Sequence, residues 1–144
     1  VGGANADGSP WIFSGRGPTA DGRVKPDVLA LSPGVVVVSP LDTTSTTRNR
    51  GTSFASPLIA GAAALLLEAF PDATPDDLLR AFRSTASQAD APDAHNGYGL
   101  ADAAAAYQLL AEQYTPAVVA DTVNVLPMTW ARLKTTASRA ADSE

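Results

Sequence analysis

The segment RNRGTSFASPLIAGAAALLLEAF, from Arg48 to Phe70, places a Gly-Thr-Ser triplet directly before a long, alanine-rich apolar run. Between Phe54 and Leu67 the run carries no charged residue. It is shorter than the 18 or so apolar residues that a membrane-spanning helix needs. Three residues interrupt it, namely Ser56, Pro57 and Gly61. The segment therefore predicts a buried core helix over about residues 53–69, and no membrane span.

Ser53, at the head of this helix, has two interpretations. A serine before an apolar helix is usually an N-cap, whose hydroxyl accepts a bond from an unpaired N–H of the first turn. The alternative is a nucleophile, because those same N–H groups and the helix dipole favour a negatively charged oxygen. The N–H of Ser53 would then form half of an oxyanion hole. Gly51 would remove side-chain bulk where a substrate backbone approaches.

Composition sets the class of protein. The chain has 144 residues, enough for one domain, and 45% of them are apolar. Its net charge is −5, which is unlike the basic surface of a nucleic-acid-binding protein. It contains no cysteine, so it has neither disulfides nor thiolate metal sites. The chain begins without methionine and ends in a polar run, and we expect both ends to be cuts in a longer polypeptide.

The other elements alternate between strand and helix patterns. The four valines Val35–Val38 predict a strand buried on both faces, as in a parallel sheet. The polar stretch over residues 42–50 is interpreted as a loop. A second helix is predicted after Thr74, with Thr74 as N-cap, Pro75 in the first position and Asp77 completing the capping box.

A third helix is predicted over residues 100–114, where apolar residues recur near helical spacing. The pattern weakens after Pro116. We therefore assign residues 1–114 to one α/β unit and residues 115–144 to a linker or tail.

The motif Gly-Thr-Ser-Phe-Ala-Ser-Pro, residues 51–57, resembles the nucleophile motif of the subtilisin-like serine proteases, the subtilases. The usual motif has Met, His and Val where this chain has Phe54, Leu58 and Ile59. Two flanking segments, FSGRGPTADGRVKPDVLA and GYGLADAAAA, resemble family segments in the same order. Gly15 stands where the family usually has a second serine, and LALSPG, residues 29–34, is longer than the usual Ala-Pro-Gly.

This resemblance implies the C-terminal part of a three-layer α/β domain with a mainly parallel sheet. It also implies that Ser53 is the catalytic nucleophile of a peptide- or protein-cleaving endopeptidase. Oxyanion binding and substrate approach would fall to Gly51, Thr52 and Ser53. In subtilases the catalytic Asp and His and the oxyanion Asn all precede the serine. We therefore expect a missing N-terminal half to supply them, and the chain alone to be inactive and to expose an apolar patch.

Other polar residues are interpreted as structural. His95, the one histidine of the chain, follows Ser53, so its order is wrong for the subtilase triad, and a surface-loop role is expected. Asp21 and Asp27 lie in turns and are expected to be solvated or hydrogen-bonded carboxylates. The polar cluster of Asp90, Asp93 and Asn96 does not match an EF-hand loop, so no metal or other cofactor is predicted.

Two functions from different classes remain open at this point. One is a subtilase fragment that hydrolyses peptide bonds when the upstream half is present. The other is a non-catalytic subtilase-like protein kept for binding or structure. Gly51 favours the first, on the argument that a purely structural helix start does not need it. The family resemblance implies secretion, and no nucleic acid or membrane is expected as a partner.

Overall fold

The computed structural model describes residues 1–117, which form four short strands and three helices. The strands are β1 (Gly2–Ala4), β2 (Leu29–Leu31), β3 (Val35–Val38) and β4 (Thr46–Asn49). The helices are α1 (Thr52–Ala69), α2 (Pro75–Ser84) and α3 (Ala103–Gln113). From residue 118 onward, the predicted linker or tail lies outside the described residues.

A parallel pair of strands lies beneath the first helix. β1 and β2 run parallel, with Gly2 opposite Leu29 and Ala4 opposite Leu31. Leu100 adds an isolated parallel bridge to Leu29. The predicted α/β class with parallel pairing is therefore present in the part of the chain that the structure describes.

The strand over Val35–Val38 is confirmed, but its predicted setting is wrong. β3 pairs antiparallel with β4, so that Val35 lies opposite Asn49 and Val38 opposite Thr46. Val36 and Val38 are exposed. The segment expected to be a polar loop forms β4, because a short turn returns the chain alongside β3, where antiparallel pairing needs only a hairpin. A run of valines favours both parallel and antiparallel strands, so the pattern alone could not distinguish a buried parallel strand from a hairpin strand.

The first helix is buried on one side only. α1 packs against β1, β2 and α3. Ala55 and Leu66 are its buried residues, whereas Leu65 is 68% exposed. The helix has 18 residues, because it includes polar residues at both ends of the uncharged run, and by length and composition it could cross a membrane. The expected core helix is therefore correct in position, and the exposure of one of its faces agrees with the expected apolar patch.

The predicted start of the second helix is confirmed in detail. The Thr74 hydroxyl accepts the Asp77 N–H at 3.2 Å, and the Asp77 carboxylate accepts the Thr74 N–H at 3.0 Å. α3 starts later than predicted, because Asp102 caps it by accepting the Ala105 N–H, while Leu100 belongs to the bridge with β2.

One apolar cluster joins the three helices to the start of β2. Its buried members are Val28, Leu66, Phe70, Ala73, Leu78, Ala81, Phe82, Ala86, Ala106 and Leu110. Phe70, at the C-terminal end of α1, is 1% exposed and lies 4.9 Å from the ring of Tyr107 in α3. This cluster fixes α1 from its C-terminal end, and leaves its N-terminal end to be positioned by the strands.

Candidate active site

The turn before Ser53 rests on a glycine in an unusual conformation. Gly51 is the N-cap of α1 and has φ 136° and ψ 150°. Residues with a side chain rarely adopt that backbone conformation, because Cβ would meet the backbone. A Cβ built on Gly51 would make only ordinary contacts, the nearest at 3.7 Å from the Phe54 ring. Gly51 is therefore explained by the backbone angle, which corrects the sequence argument that a structural helix start would not need it.

Ser53 is the second residue of α1, and its side chain is exposed. It is not the N-cap, because Gly51 holds that position and, among residues 1–117, no side-chain hydrogen bond caps this helix. The cap interpretation of Ser53 is thus wrong, since a cap at Ser53 would start the helix at Phe54, whereas α1 begins two residues earlier, at Thr52. The hydroxyl is left at the surface beside the first turn.

The first turn of α1 is a candidate for binding a negative oxygen. The Phe54 N–H donates to the Gly51 carbonyl at 2.9 Å, while Thr52 and Ser53 lie where helix N–H groups have no partner within the helix. The first turn holds no acidic side chain. The positive end of the helix dipole is therefore not offset by a carboxylate of that turn.

Ser32 connects this turn to the strands. Its carbonyl accepts the Gly51 N–H at 3.2 Å, and its own N–H donates to Ala4 of β1 at 3.0 Å. The long segment LALSPG, which made the local geometry uncertain in the sequence, forms β2 and then places Ser32 at this junction. Ser32 was missed in the sequence, because only the folded chain brings it to Gly51.

The Ser32 side chain is fully buried. Its hydroxyl has no hydrogen-bond partner within residues 1–117. It packs against Gly3, where an added Cβ would lie 2.6 Å from the Ser32 Cβ and Oγ atoms. This close approach requires a glycine at position 3, and brings β1 directly beneath the junction.

An open cavity of about 320 Å³ adjoins the start of α1. Its lining residues are Val1, Gly15, Arg16, Lys25, Pro26 and Thr52. Gly15, noted in the sequence as a departure from the family pattern, therefore lies close to the helix start.

The other polar residues considered from the sequence have structural roles or lie at the surface. Asp21 is exposed and accepts bonds from Thr19 and Arg23, as expected of a turn carboxylate. His95 is exposed in a loop, where its N–H donates to Asp93 at 2.7 Å, and no hydrogen bond joins it to Ser53 within the described chain. The predictions for Asp21 and His95 are confirmed.

The polar groups around Asp93 form hydrogen bonds with one another. The Asp93 carboxylate accepts the N–H groups of His95 and Asn96 and the side-chain amides of Gln88 and Asn96. The Asn96 N–H and the Gln88 amide hold the pKa of Asp93 well below its usual range. Over residues 1–117, no group of three or more His, Asp or Glu side chains is arranged to hold a metal.

Asp27 is a hydrogen-bonded structural carboxylate, as predicted. Lys25 donates to one of its oxygens and Arg83 of α2 to the other, with the Arg83 Nε at 3.1 Å. Desolvation raises the pKa of Asp27, but the bonds and charges of Lys25 and Arg83 lower it by more, so the net pKa is depressed. No local sequence pattern indicates the pairing of Arg83 with Asp27, because the two residues are 56 positions apart along the chain.

Comparison with known proteins places this geometry in a family. Residues 1–99 match the model of the Subtilase family. The chain belongs to the subtilases. It is 42% identical over 80 residues to the serine protease AprX of Bacillus subtilis, which covers 46% of this chain. It is 32% identical over 146 residues to the subtilisin-like protease SBT6.1 of Arabidopsis thaliana, which covers 90% of this chain.

Solved structures agree with the fold. The patellamide maturation protease PatA superposes with a TM-score of 0.60 and 30% identity, covering 77% of this subtilase chain. The predicted subtilisin-like α/β class is thereby confirmed. The chain spans 42% of that solved chain, and only 18% of AprX and 14% of SBT6.1.

Proposed function

We propose that this subtilase chain carries the nucleophile of a serine endopeptidase, and that the nucleophile is Ser53. Its Oγ would attack a peptide carbonyl carbon while a base takes the hydroxyl proton. The same base would then protonate the leaving amine, and water would release the acyl group from Ser53. The observation that carries the proposal is an exposed serine at the second position of α1, in the Gly-Thr-Ser motif, that is not used as a cap.

The first turn of α1 would bind the oxyanion of the tetrahedral intermediate. The N–H of Ser53 is the proposed donor from this chain, with Thr52 beside it and Gly51 shaping the turn. Such donors act strongly, because they are already oriented when negative charge develops on the oxygen. A preorganised donor of this kind changes kcat by about 10²–10³ when it is removed.

The base, its orienting carboxylate and the second oxyanion donor are proposed to come from a segment that precedes Val1. No histidine stands before Ser53 in this sequence. The relatives are longer proteins, of which this chain spans a minor part. The proposed partners are therefore the N-terminal half of the catalytic domain and a peptide or protein substrate.

Exposed apolar side chains support this view of the missing half. On α1, Leu58 and Leu65 are exposed and lie seven residues apart, on one face of the helix. Ile12 and Phe13 are each 74% exposed. The same upstream segment is proposed to cover these side chains, because large apolar side chains left exposed together on one helix face often belong to an interface.

The setting of α1 supports a role inside a catalytic domain. The helix packs against two strands and α3, and contains Ser56, Pro57 and Gly61, so we propose no membrane partner for it. Neither nucleic acid nor a cofactor is proposed. Secretion is proposed from family membership alone.

The test uses a protein in which this chain follows, in one reading frame, the sequence that lies upstream of Val1. We expect it to hydrolyse a peptide substrate, and we expect Ser53→Ala to abolish hydrolysis. Ser56→Ala is the matched control, because Ser56 is exposed on the same helix one turn further on. Full activity after Ser53→Ala would contradict the assignment of the nucleophile.

The upstream sequence also separates the enzyme from the non-catalytic alternative. An in-frame Asp-Thr-Gly and His-Gly-Thr type pair would support the enzyme. An upstream segment with the family fold but without these residues would favour a binding or structural protein.

A further inference from the structure

A half-buried ion pair links α2 to the start of β2. Arg83 donates from Nε and Nη2 to one oxygen of Asp27, and its guanidinium lies 5.2 Å from the centre of the Tyr98 ring. The side chains of Arg83 and Asp27 are 31% and 19% exposed. Lys25 is bonded to the other carboxylate oxygen. Two N–H groups of a partly desolvated guanidinium thus converge on one carboxylate oxygen while Lys25 holds the other, which fixes the carboxylate more firmly than a single exposed contact would.

The backbone around Asp27 is fixed on both sides. The Asp27 carbonyl accepts the Tyr98 N–H at 2.9 Å, and the Val28 carbonyl accepts the Gly2 N–H at 2.9 Å. The next residue, Leu29, donates to the Gly99 carbonyl at 2.8 Å. The start of β2 thus has its position set by α2, by the 97–99 loop and by β1 together.

The other end of the same strand holds the Ser53 turn. Ser32 directly follows β2, and its carbonyl accepts the N–H of Gly51, the N-cap of α1. Residues 27 and 32 are separated by five steps of extended chain, or about 16 Å. β2 is paired with β1 along its length and is bonded on its other edge at Leu29, so we expect a displacement at Asp27 to be carried along the extended chain to Ser32.

We propose that Arg83 and Asp27 are positioning residues, which set the geometry of the Ser53 turn through β2 and Ser32. Neither contacts the reacting atoms. The effect on the turn follows from the described contacts alone, whereas the effect on hydrolysis rests on the proposed function.

The first experiment measures hydrogen exchange of the Gly51 N–H in the 144-residue chain. Arg83→Met should speed this exchange about tenfold, or about 1.4 kcal/mol, a usual size for the loss of a charge-assisted hydrogen bond. Arg80→Met is the matched control, because Arg80 lies on the same helix but pairs with Asp77. Its Gly51 exchange should match that of the unchanged chain.

Two results would overturn the proposal. One is faster exchange at Tyr98, which bonds to Asp27, with no change at Gly51. The other is a Gly51 N–H that is unprotected in the unchanged chain. If Arg83→Met does not fold, Arg83→Lys, which keeps the charge but loses the pair of guanidinium donors, is measured against the same two criteria, with a smaller increase at Gly51 expected.

The second experiment uses the protein that includes the upstream sequence. Arg83→Met should lower kcat about tenfold per active site with KM unchanged, because a displaced nucleophile reacts more slowly with the same bound substrate. Arg83→Lys should recover part of the loss, and Arg80→Met should show none. A changed KM with unchanged kcat would overturn the positioning role. Absence of hydrolysis in the unsubstituted protein would contradict the proposed function instead, and would leave the exchange result standing.

Discussion

Gly51 is the residue on which the geometry of the candidate site depends most. Its φ of 136° orients the chain so that α1 starts at Thr52 and the side chain of Ser53 remains at the surface. Within residues 1–117 a Cβ added at Gly51 would make only ordinary contacts, so the requirement for glycine comes from the backbone angle.

We expect Gly51→Ala to lower the free energy of unfolding by about 1–3 kcal/mol, the usual cost of a side chain in such a conformation. Gly61→Ala is the control, because Gly61 lies inside α1 and an added Cβ there meets no neighbouring atom of the described residues within 4 Å. Alanine at that position should stabilise the helix by about 0.5–1 kcal/mol. Urea unfolding measures the change in the free energy of unfolding for both variants. Equal changes for Gly51→Ala and Gly61→Ala would rule out strain at Gly51.

Ser32 gives a second residue-scale prediction. Its buried hydroxyl has no partner within residues 1–117, so Ser32→Ala should be neutral or stabilising by up to about 1 kcal/mol. Ser14→Ala should instead destabilise by about 1 kcal/mol, because the Ser14 hydroxyl accepts the Gly3 N–H at 3.0 Å. A Ser32→Ala chain that is less stable than Ser14→Ala in urea would show that the hydroxyl has a partner.

At the scale of elements, the second and third helices are joined by one carboxylate. Asp77 accepts the Thr74 N–H and hydroxyl, and also the Tyr114 hydroxyl at 2.7 Å. The bonds from Thr74 and Tyr114 hold the pKa of Asp77 well below its usual range, and the Asp77 carboxylate raises the pKa of Tyr114. The N-terminus of α2 and the C-terminal end of α3 are therefore held together by a bond that depends on charge.

Acid should weaken this link. A carboxylate with a depressed folded pKa adds stability that is complete above its unfolded pKa, about 3.9, and is lost as the pH falls through the folded value. We expect the free energy of unfolding to be nearly constant from about pH 7 to 5 and to fall below about pH 4. Tyr114→Phe should make the acid fall shallower, whereas Tyr107→Phe in α3 should not. Equal slopes for both variants in urea unfolding at pH 5 and pH 3 would contradict this.

The elements also show which predictions a sequence supports. The start of α2 was predicted correctly, because Thr74, Pro75 and Asp77 act on each other within one turn. The pairing of β3 was not, because a valine run favours a strand without specifying its neighbour. The contacts of Ser32 with Gly51 and of Arg83 with Asp27 join distant parts of the chain, and no local pattern encodes them. Ser53 is proposed as the nucleophile because a family motif surrounds it.

At the scale of the whole molecule, the described residues leave large apolar side chains exposed on the outer face of α1. Leu65 and Leu66 are neighbours on α1, yet Leu65 is 68% exposed and Leu66 is 4% exposed. A face of this kind favours association when nothing covers it.

Substitutions at these two leucines distinguish an exposed surface that causes self-association from a buried contact that stabilises the fold. Leu65→Gln should reduce self-association of the 144-residue chain in analytical ultracentrifugation without unfolding it. Leu66→Gln should destabilise the chain by at least about 2 kcal/mol, because it places a polar group in the buried cluster. Unchanged self-association of the Leu65→Gln chain would mean that the exposed face of α1 does not mediate the association.

The most direct test of the central claim is the rate at which a fluorophosphonate labels Ser53, in the chain alone and in the protein with the upstream sequence. In subtilisin-type triads, loss of the base alone lowers kcat about 10⁶-fold, and without a base Ser53 remains a neutral hydroxyl. We expect the chain alone to be labelled no faster than an ordinary surface serine, and the longer protein to be labelled rapidly at Ser53. Rapid labelling of the chain alone would contradict the account, as would a longer protein that is labelled equally after Ser53→Ala.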